Sequence, residues 1–343
     1  MKRVLPILLL SLVVARPSLA TLQVVTTLPA YAAIAQFVGG DRVIARAISR
    51  GDEDSHFVKP KPSFALMLRA ADLFVTTGLD LELWAPTLVD KSGNRSIRDG
   101  QPGFVSASQG VPLLDVPGSV SRDAGDVHIY GNPHIHTSPL NAKIIAANIA
   151  AGLQRVDPEG AAAYTENLKR FKRAIDVSLF GETLIDLLGP ETLDPLARQN
   201  KLMEFLAVNE YEGAPLIDRL GGWLARSRTY RNREIVAYHK NWIYFTELFG
   251  LAVADFVERK PGIPPSARHV HVLLEKINER QIPVLLGASY FSRRQIETIA
   301  ERSGCSAVIV DLGPQEITRE AYFELVESWI SGLESAFDRV GSF

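Results

Sequence analysis

Apolar positions along this chain change period repeatedly. Short runs rich in β-branched and aromatic residues cover Gln23–Thr27, Val43–Ile48, Leu73–Thr77 and Phe104–Ala107, and apolar residues recur at helical spacing between them. A second set of strand-like runs follows at Glu234–Tyr238, Leu251–Val257, Val284–Leu286 and Ala307–Val310. Such alternation predicts parallel sheets with right-handed helical crossovers, and ligands in such sheets bind at the carboxyl ends of strands. The fold class expected is therefore α/β, with two Rossmann-like lobes over residues 21–157 and 234–343. Between them, Asn141–Val156 reads as one helix, and Asp157-Pro158-Glu159 opens another whose face carries Tyr164, Leu168, Phe171 and Ile175 towards Leu188. About 28 helical residues would reach roughly 42 Å, so residues 158–188 are expected to form a rigid spine joining the lobes and hindering their rotation. The Pro- and Gly-containing stretch 189–233, with Trp223, is expected to be a helical insertion.

The first twenty residues change the picture from a cellular to an exported protein. Lys2 and Arg3 precede the apolar run Val4–Ala15, and Ser18-Leu19-Ala20 offers a small-x-small cleavage site, so residues 1–20 read as a cleavable secretory signal. That run is short for a bilayer span, and no later stretch is long and apolar enough to be one. No cysteine lies near the cleavage site to carry a lipid, so the exported protein is expected not to be lipid-anchored. Cys305 is the only cysteine, which excludes an internal disulfide, and in its small-residue stretch before a strand it is expected to be a buried inert thiol and not a metal ligand. A net charge of −2, without a basic face, argues against nucleic acid as a partner.

Candidate chemistry lies in the histidines. His56, His134 and His239 each occupy a Pro- or aromatic-flanked motif at a predicted strand or loop end. Distant loops of a large domain can assemble such side chains into a metal site, and zinc favours imidazole nitrogens with a carboxylate in a tetrahedron. Asp311, at the end of Ala307–Val310, is the candidate carboxylate; the rival reading makes it a helix N-cap or turn residue, with a water or Glu258 in its place. His136, two residues after His134, reads as a supporting or structural residue. His128 belongs to a predicted loop, Asp123–His128, where it either passes metal to the site or plays no part. His269 and His271 read as surface residues.

Four motifs in order resemble a known family: Val24-Val25-Thr26-Thr27-Leu28-Pro29; Asp54-Ser55-His56-Phe57 with Lys61-Pro62-Ser63; Gly131-Asn132-Pro133-His134; and Tyr238-His239-Lys240-Asn241-Trp242-Ile243-Tyr244-Phe245. Together they are similar to the zinc/manganese solute-binding proteins of ABC importers, over nearly the whole chain after residue 20. The resemblance implies two α/β lobes joined by a long helix, one metal ion in the cleft, and His56, His134, His239 and Asp311 as its ligands. It implies a periplasmic monomer that delivers its ion to a membrane permease served by a cytoplasmic ATPase, with a periplasmic metallochaperone as a further candidate partner. Histidine at the third position implies zinc, where manganese members usually carry glutamate, and Mn2+ is the weaker expectation. The chain departs from the family pattern where Gly131-Asn132 replaces the usual acid before Pro133-His134, at Gly287, and in Leu312-Gly313-Pro314 after Asp311.

The expected action is capture and delivery without catalysis, with release through small shifts around His128–His136 and Asp311. A secreted zinc hydrolase would need a general base beside an open metal position, and the chain has no His-Glu-x-x-His helix, Gly-x-Ser-x-Gly elbow or phosphate loop. A binding protein for an organic ligand or metal chelate on the same fold is the main alternative.

Overall fold

The computed structural model describes residues 21–117, 128–260 and 262–340. The expected signal, residues 1–20, and the loop residues Asp123–Val127 lie outside them. In the first lobe β1 (Leu22–Thr26), α1 (Pro29–Gly39), β2 (Val43–Ala47), α2 (Pro62–Arg69), β3 (Leu73–Thr76), α3 (Ala85–Ser92) and β4 (Phe104–Ser106) build a parallel sheet of order β2-β1-β3-β4. Helices α4 (Pro139–Val156) and α5 (Ala161–Phe180) pack on this lobe and lead away from it. Proline stands in the first turn of α1, α2, α3 and α4, where its missing N–H costs no hydrogen bond and its φ suits the helix. This accounts for Pro29 and Pro62 in the motifs.

The helix expected over residues 158–188 is two helices. Gly181, at φ +81°, ends α5, and α6 (Glu182–Leu188) starts afresh. A Cβ at Gly181 would lie 2.7 Å from the Gly221 Cα, so this close backbone crossing needs glycine. At 20 residues, α5 reaches about 30 Å. Residues 189–233 hold α7 (Pro190–Arg198), α8 (Leu202–Val208), a two-residue-strand hairpin of β5 (Glu210–Tyr211) and β6 (Ala214–Pro215), and α9 (Gly222–Ser227).

The second lobe repeats the first architecture. It contains β7 (Glu234–Ala237), α10 (Ile243–Phe249), β8 (Ala252–Phe256), α11 (Ala267–Arg280), β9 (Val284–Ala288), α12 (Arg293–Ser303), β10 (Ser306–Val310) and α13 (Ala321–Val340), around a parallel sheet of order β10-β9-β7-β8. No helix among the described residues is long and apolar enough to cross a membrane.

Each lobe has an apolar cluster of its own, around Phe74 in the first and Leu285 in the second, and the two lobes also share an interior. One apolar cluster runs from Val24 and Ile34 through Phe171 and Leu179 to Trp242, Leu286 and Trp329. Phe37 of α1 packs at 5.2 Å from Phe171 and 5.9 Å from Phe323 of α13, and Arg319 pairs with Asp41 at 2.5 Å. Tyr322 donates to the His136 carbonyl at 2.9 Å. Rotating one lobe on the other would break this packing, so wide opening is opposed by a shared core as well as by α5.

Candidate metal centre

Each of the three motif histidines follows the carboxyl end of a strand or a tight turn, where parallel sheets present ligands. His56 lies in a short 3-10 turn (Ser55–Phe57) after β2, and His239 stands two residues past the end of β7. His134 precedes the turn Ile135–Thr137 that leads into α4. His134 and His239 are buried, and the His56 side chain is only 8% exposed.

All three rings are held by the same device. The Asp54 Oδ1 accepts from the His56 backbone N–H at 3.0 Å and contacts Nδ1 of the ring at 2.7 Å. The Asn132 Oδ1 does the same for His134, at 3.0 Å to the backbone N and 3.0 Å to Nδ1. The Nδ1 of His239 is 2.9 Å from the Glu258 carbonyl oxygen. An oxygen at Nδ1 can only accept, so in each neutral ring the proton sits on Nδ1 and Nε2 is left as the lone-pair nitrogen. Asn132 thus fills the role that an acid before Pro133-His134 would fill, and the departure from the family pattern is chemically conservative.

The rings converge. His56 lies 5.2 Å from His134 between ring centroids and 5.1 Å from His128, and its Nε2 is 3.1 Å from the His128 Nε2. From the second lobe, Asn241 Nδ2 approaches the His134 Nε2 at 3.2 Å and donates to the Tyr290 hydroxyl at 2.7 Å. Asn132 ties the lobes here, donating to the Lys240 carbonyl at 2.8 Å while its own carbonyl accepts from Tyr244 at 2.7 Å. Burial holds the His134 imidazole well below the usual histidine range, helped by neighbouring His56, His136, His239 and His128. Burial likewise lowers His239, against the Glu258 carbonyl, which raises it. Both rings are therefore neutral near pH 7, the form that binds a metal ion.

Other candidates fall elsewhere. The Asp311 carboxylate accepts from Ser289 at Oδ1 and from Gln315 at Oδ2, the latter at 2.7 Å, and its carbonyl accepts from Trp329 at 2.7 Å. The Glu258 carboxylate caps the Gly262 N–H at 3.0 Å. His136 is buried, edge-on to Tyr31 at 6.1 Å between centroids, and burial lowers it to about 4. His269 is half-buried and bonds the Phe256 carbonyl at 2.8 Å, which corrects its reading as a surface residue, whereas His271 is exposed and paired with Glu275. Sequence reasoning missed Asp54 and Asn132 as holding groups; the signal was an Asx residue two positions before each histidine.

Leu28, Gly51, Asp54, His56, His134 and Tyr290 are among the residues around a narrow cavity of about 20 Å³, enough for one water-sized body. Among the described residues, no three His, Cys, Asp or Glu side chains form a ready-made cage, so the imidazoles must turn toward a common point to share an ion. A wider cleft of about 540 Å³ against Phe74, Leu83 and Phe104 has no histidine in its lining.

A family profile described as the periplasmic component A of the zinc-uptake complex matches residues 24–178 and 217–336. The iron-binding protein YfeA of Yersinia pestis is 25% identical over 282 residues, covering 82% of this chain and 74% of its own. The manganese ABC transporter substrate-binding lipoprotein PsaA of Streptococcus pneumoniae is 23% identical, covering 82% and 76%. The high-affinity zinc uptake system protein ZnuA of Paracoccus denitrificans is 23% identical, covering 75% and 73%. The solved structure of the binding protein FpvC of Pseudomonas aeruginosa with Mn2+ has a TM-score of 0.68 at 20% identity over 93% of this chain and 99% of that one.

Proposed function

The chain belongs to the family of periplasmic component A proteins of zinc-uptake complexes, and from that premise we propose that it captures one divalent metal ion, zinc first, in the periplasm and hands it to an ABC importer permease. Family members and structural neighbours are metal-binding transport proteins and not enzymes. Relatives named for iron, manganese and zinc leave the ion to be argued from the donors. The observation that carries the zinc reading is the common posture of His56, His134 and His239, each with Nδ1 on an oxygen and Nε2 left to coordinate. Three imidazoles suit zinc, while manganese prefers a richer oxygen set.

Binding exchanges the Asn241 contact at His134 Nε2 for a coordinate bond and draws His56 and His239 toward the same point. The small cavity favours a bare ion over an organic ligand, since drug-sized ligands need cavities of roughly 300–1,000 Å³. A calorimetric titration of the chelator-stripped protein should give one zinc per chain, resisting displacement by manganese. Zinc uptake absent, with tight binding of an organic ligand, would return the alternative reading to first place.

The ring-holding groups give a graded test. Asp54→Ala should cost roughly 10- to 100-fold in zinc affinity, the usual effect of removing the group that orients a ligating histidine. Asp54→Asn should cost less than Asp54→Ala, because an amide already does this work at His134. Competition against a chelating dye measures both; equal losses would mean that charge, and not orientation, is what Asp54 supplies.

A further inference from the structure

We infer that Asn241 is a rival of the ion built into the site: its amide holds the metal-binding nitrogen of His134 in the empty protein and has to leave it before an ion can enter, so it lowers affinity and eases release. The inference rests on the metal-capture reading above and concerns what opposes capture there.

Asn132 already fixes His134 through its backbone N–H and its Nδ1, so the Nε2 carries the lone pair. Asn241 Nδ2 stands 3.2 Å from that nitrogen and 2.7 Å from the Tyr290 hydroxyl oxygen. Only the amide nitrogen can face the lone pair, because the oxygen there would set two acceptors against each other. Both amide hydrogens are thus engaged, on His134 and on Tyr290. The Oδ1 of the same side chain, in a residue 1% exposed, is buried with no hydrogen-bond partner among the described residues. Zinc stands roughly 2.0–2.1 Å from an imidazole nitrogen, so an ion on this lone pair would lie about 1 Å from the amide nitrogen where it now rests. The amide and the ion cannot share the histidine.

The amide yields by turning about its own side-chain bonds, since the chain on either side is held. The Lys240 carbonyl accepts from Asn132 at 2.8 Å, and Trp242 is buried edge-on against Phe245 and Trp329, at 6.0 and 5.3 Å between centroids. The Tyr290 hydroxyl, which now accepts from Nδ2, can donate to the unpartnered Oδ1 once the amide has turned. Loading then removes the bond to His134 and leaves Tyr290 with a partner. The orientation of His134 does not depend on Asn241, because Asn132 keeps it. Asn241 therefore stabilises the empty site and does nothing to hold the ring for the ion.

The test is zinc affinity by chelator competition, with thermal unfolding in the presence and absence of zinc, for wild type, Asn241→Leu and Asn241→Ala. Leucine keeps the branched shape of asparagine and has no donor. The expected result is that Asn241→Leu binds zinc about 2- to 10-fold more tightly, the usual net effect of one hydrogen bond, and melts below wild type only when metal-free. Asn241→Ala shifts affinity the same way by less, because a water can take the donor's place on His134. A folded Asn241→Leu with unchanged or weaker zinc binding, or one that melts lower by the same amount with and without zinc, overturns the inference while leaving metal capture intact. Where leucine is not tolerated, Asn241→Ala decides by the same signs, beside the side-chain amide signals of Asn241 in NMR of the wild type. Zinc is expected to shift those signals, and signals that zinc leaves in place overturn the inference. A wild-type protein that takes up no zinc overturns both readings.

Discussion

His239→Ala lowers zinc affinity by roughly 60- to 700-fold. Apparent binding energies of structural zinc sites run to roughly 10–16 kcal/mol, which over four donors is about 2.5–4 kcal/mol for each. At about 1.4 kcal/mol per factor of ten, losing one donor gives that range. The substitution also deprives the Glu258 carbonyl of its ring donor, but that loop keeps the bond from the Glu258 N–H to the Tyr238 carbonyl at 2.7 Å, so the fold survives. The measurement is calorimetry or chelator competition, read beside thermal unfolding of the metal-free variant. A folded His239→Ala that binds zinc within about 10-fold of wild type would remove the second lobe's imidazole from the proposed set.

Gly51→Ala weakens both the fold and the site without touching a ligand. A Cβ at Gly51 would lie 2.1 Å from the Gly313 carbonyl oxygen, 2.8 Å from its carbon and 2.9 Å from the Pro314 carbonyl oxygen. All three are backbone atoms with no rotamer to yield. Gly51 precedes the Asp54–His56 turn of the first lobe, and Gly313 follows Asp311 in the second, so the methyl acts as a wedge across the cleft. Overpacking of this kind costs about 1–3 kcal/mol, or roughly 1–5 °C of melting temperature in a chain of this size. Zinc affinity should fall by at least about 10-fold, because His56 is pushed from the His239 side. Unchanged melting and affinity would mean that these loops can part at no cost.

The eight strands of the two sheets were legible because β-branched runs and their alternation with helices are local properties, and the structure moves their ends by only one or two residues. The break at Gly181 was not, since helical periodicity continues through 182–188 and the glycine is required by a crossing chain 40 residues later in sequence. Histidine convergence could be anticipated from motif order, but the groups holding each Nδ1 could not all be. Asp54 and Asn132 act within two residues of their histidines, while the Glu258 carbonyl reaches His239 across 19 residues of chain. The hydrogen bonds that occupy Asp311 likewise come from Ser289, which is 22 residues away, and from Gln315 on the following loop.

The apolar interior that both lobes share, from Ile34 to Trp329, couples their unfolding, although each lobe also has a cluster of its own. A chain with two independent lobes would melt in two steps, and a cargo held mainly by one would protect only that half. Here a single cooperative transition is expected, and an ion bound between the lobes should stabilise both against opening at once, by RT ln(1 + [L]/Kd). Loading would then be felt as slowed amide exchange in the central strands of both sheets, far from any histidine, and a fragment carrying one sheet alone would be an unfinished core, unable to act as a smaller trap for metal.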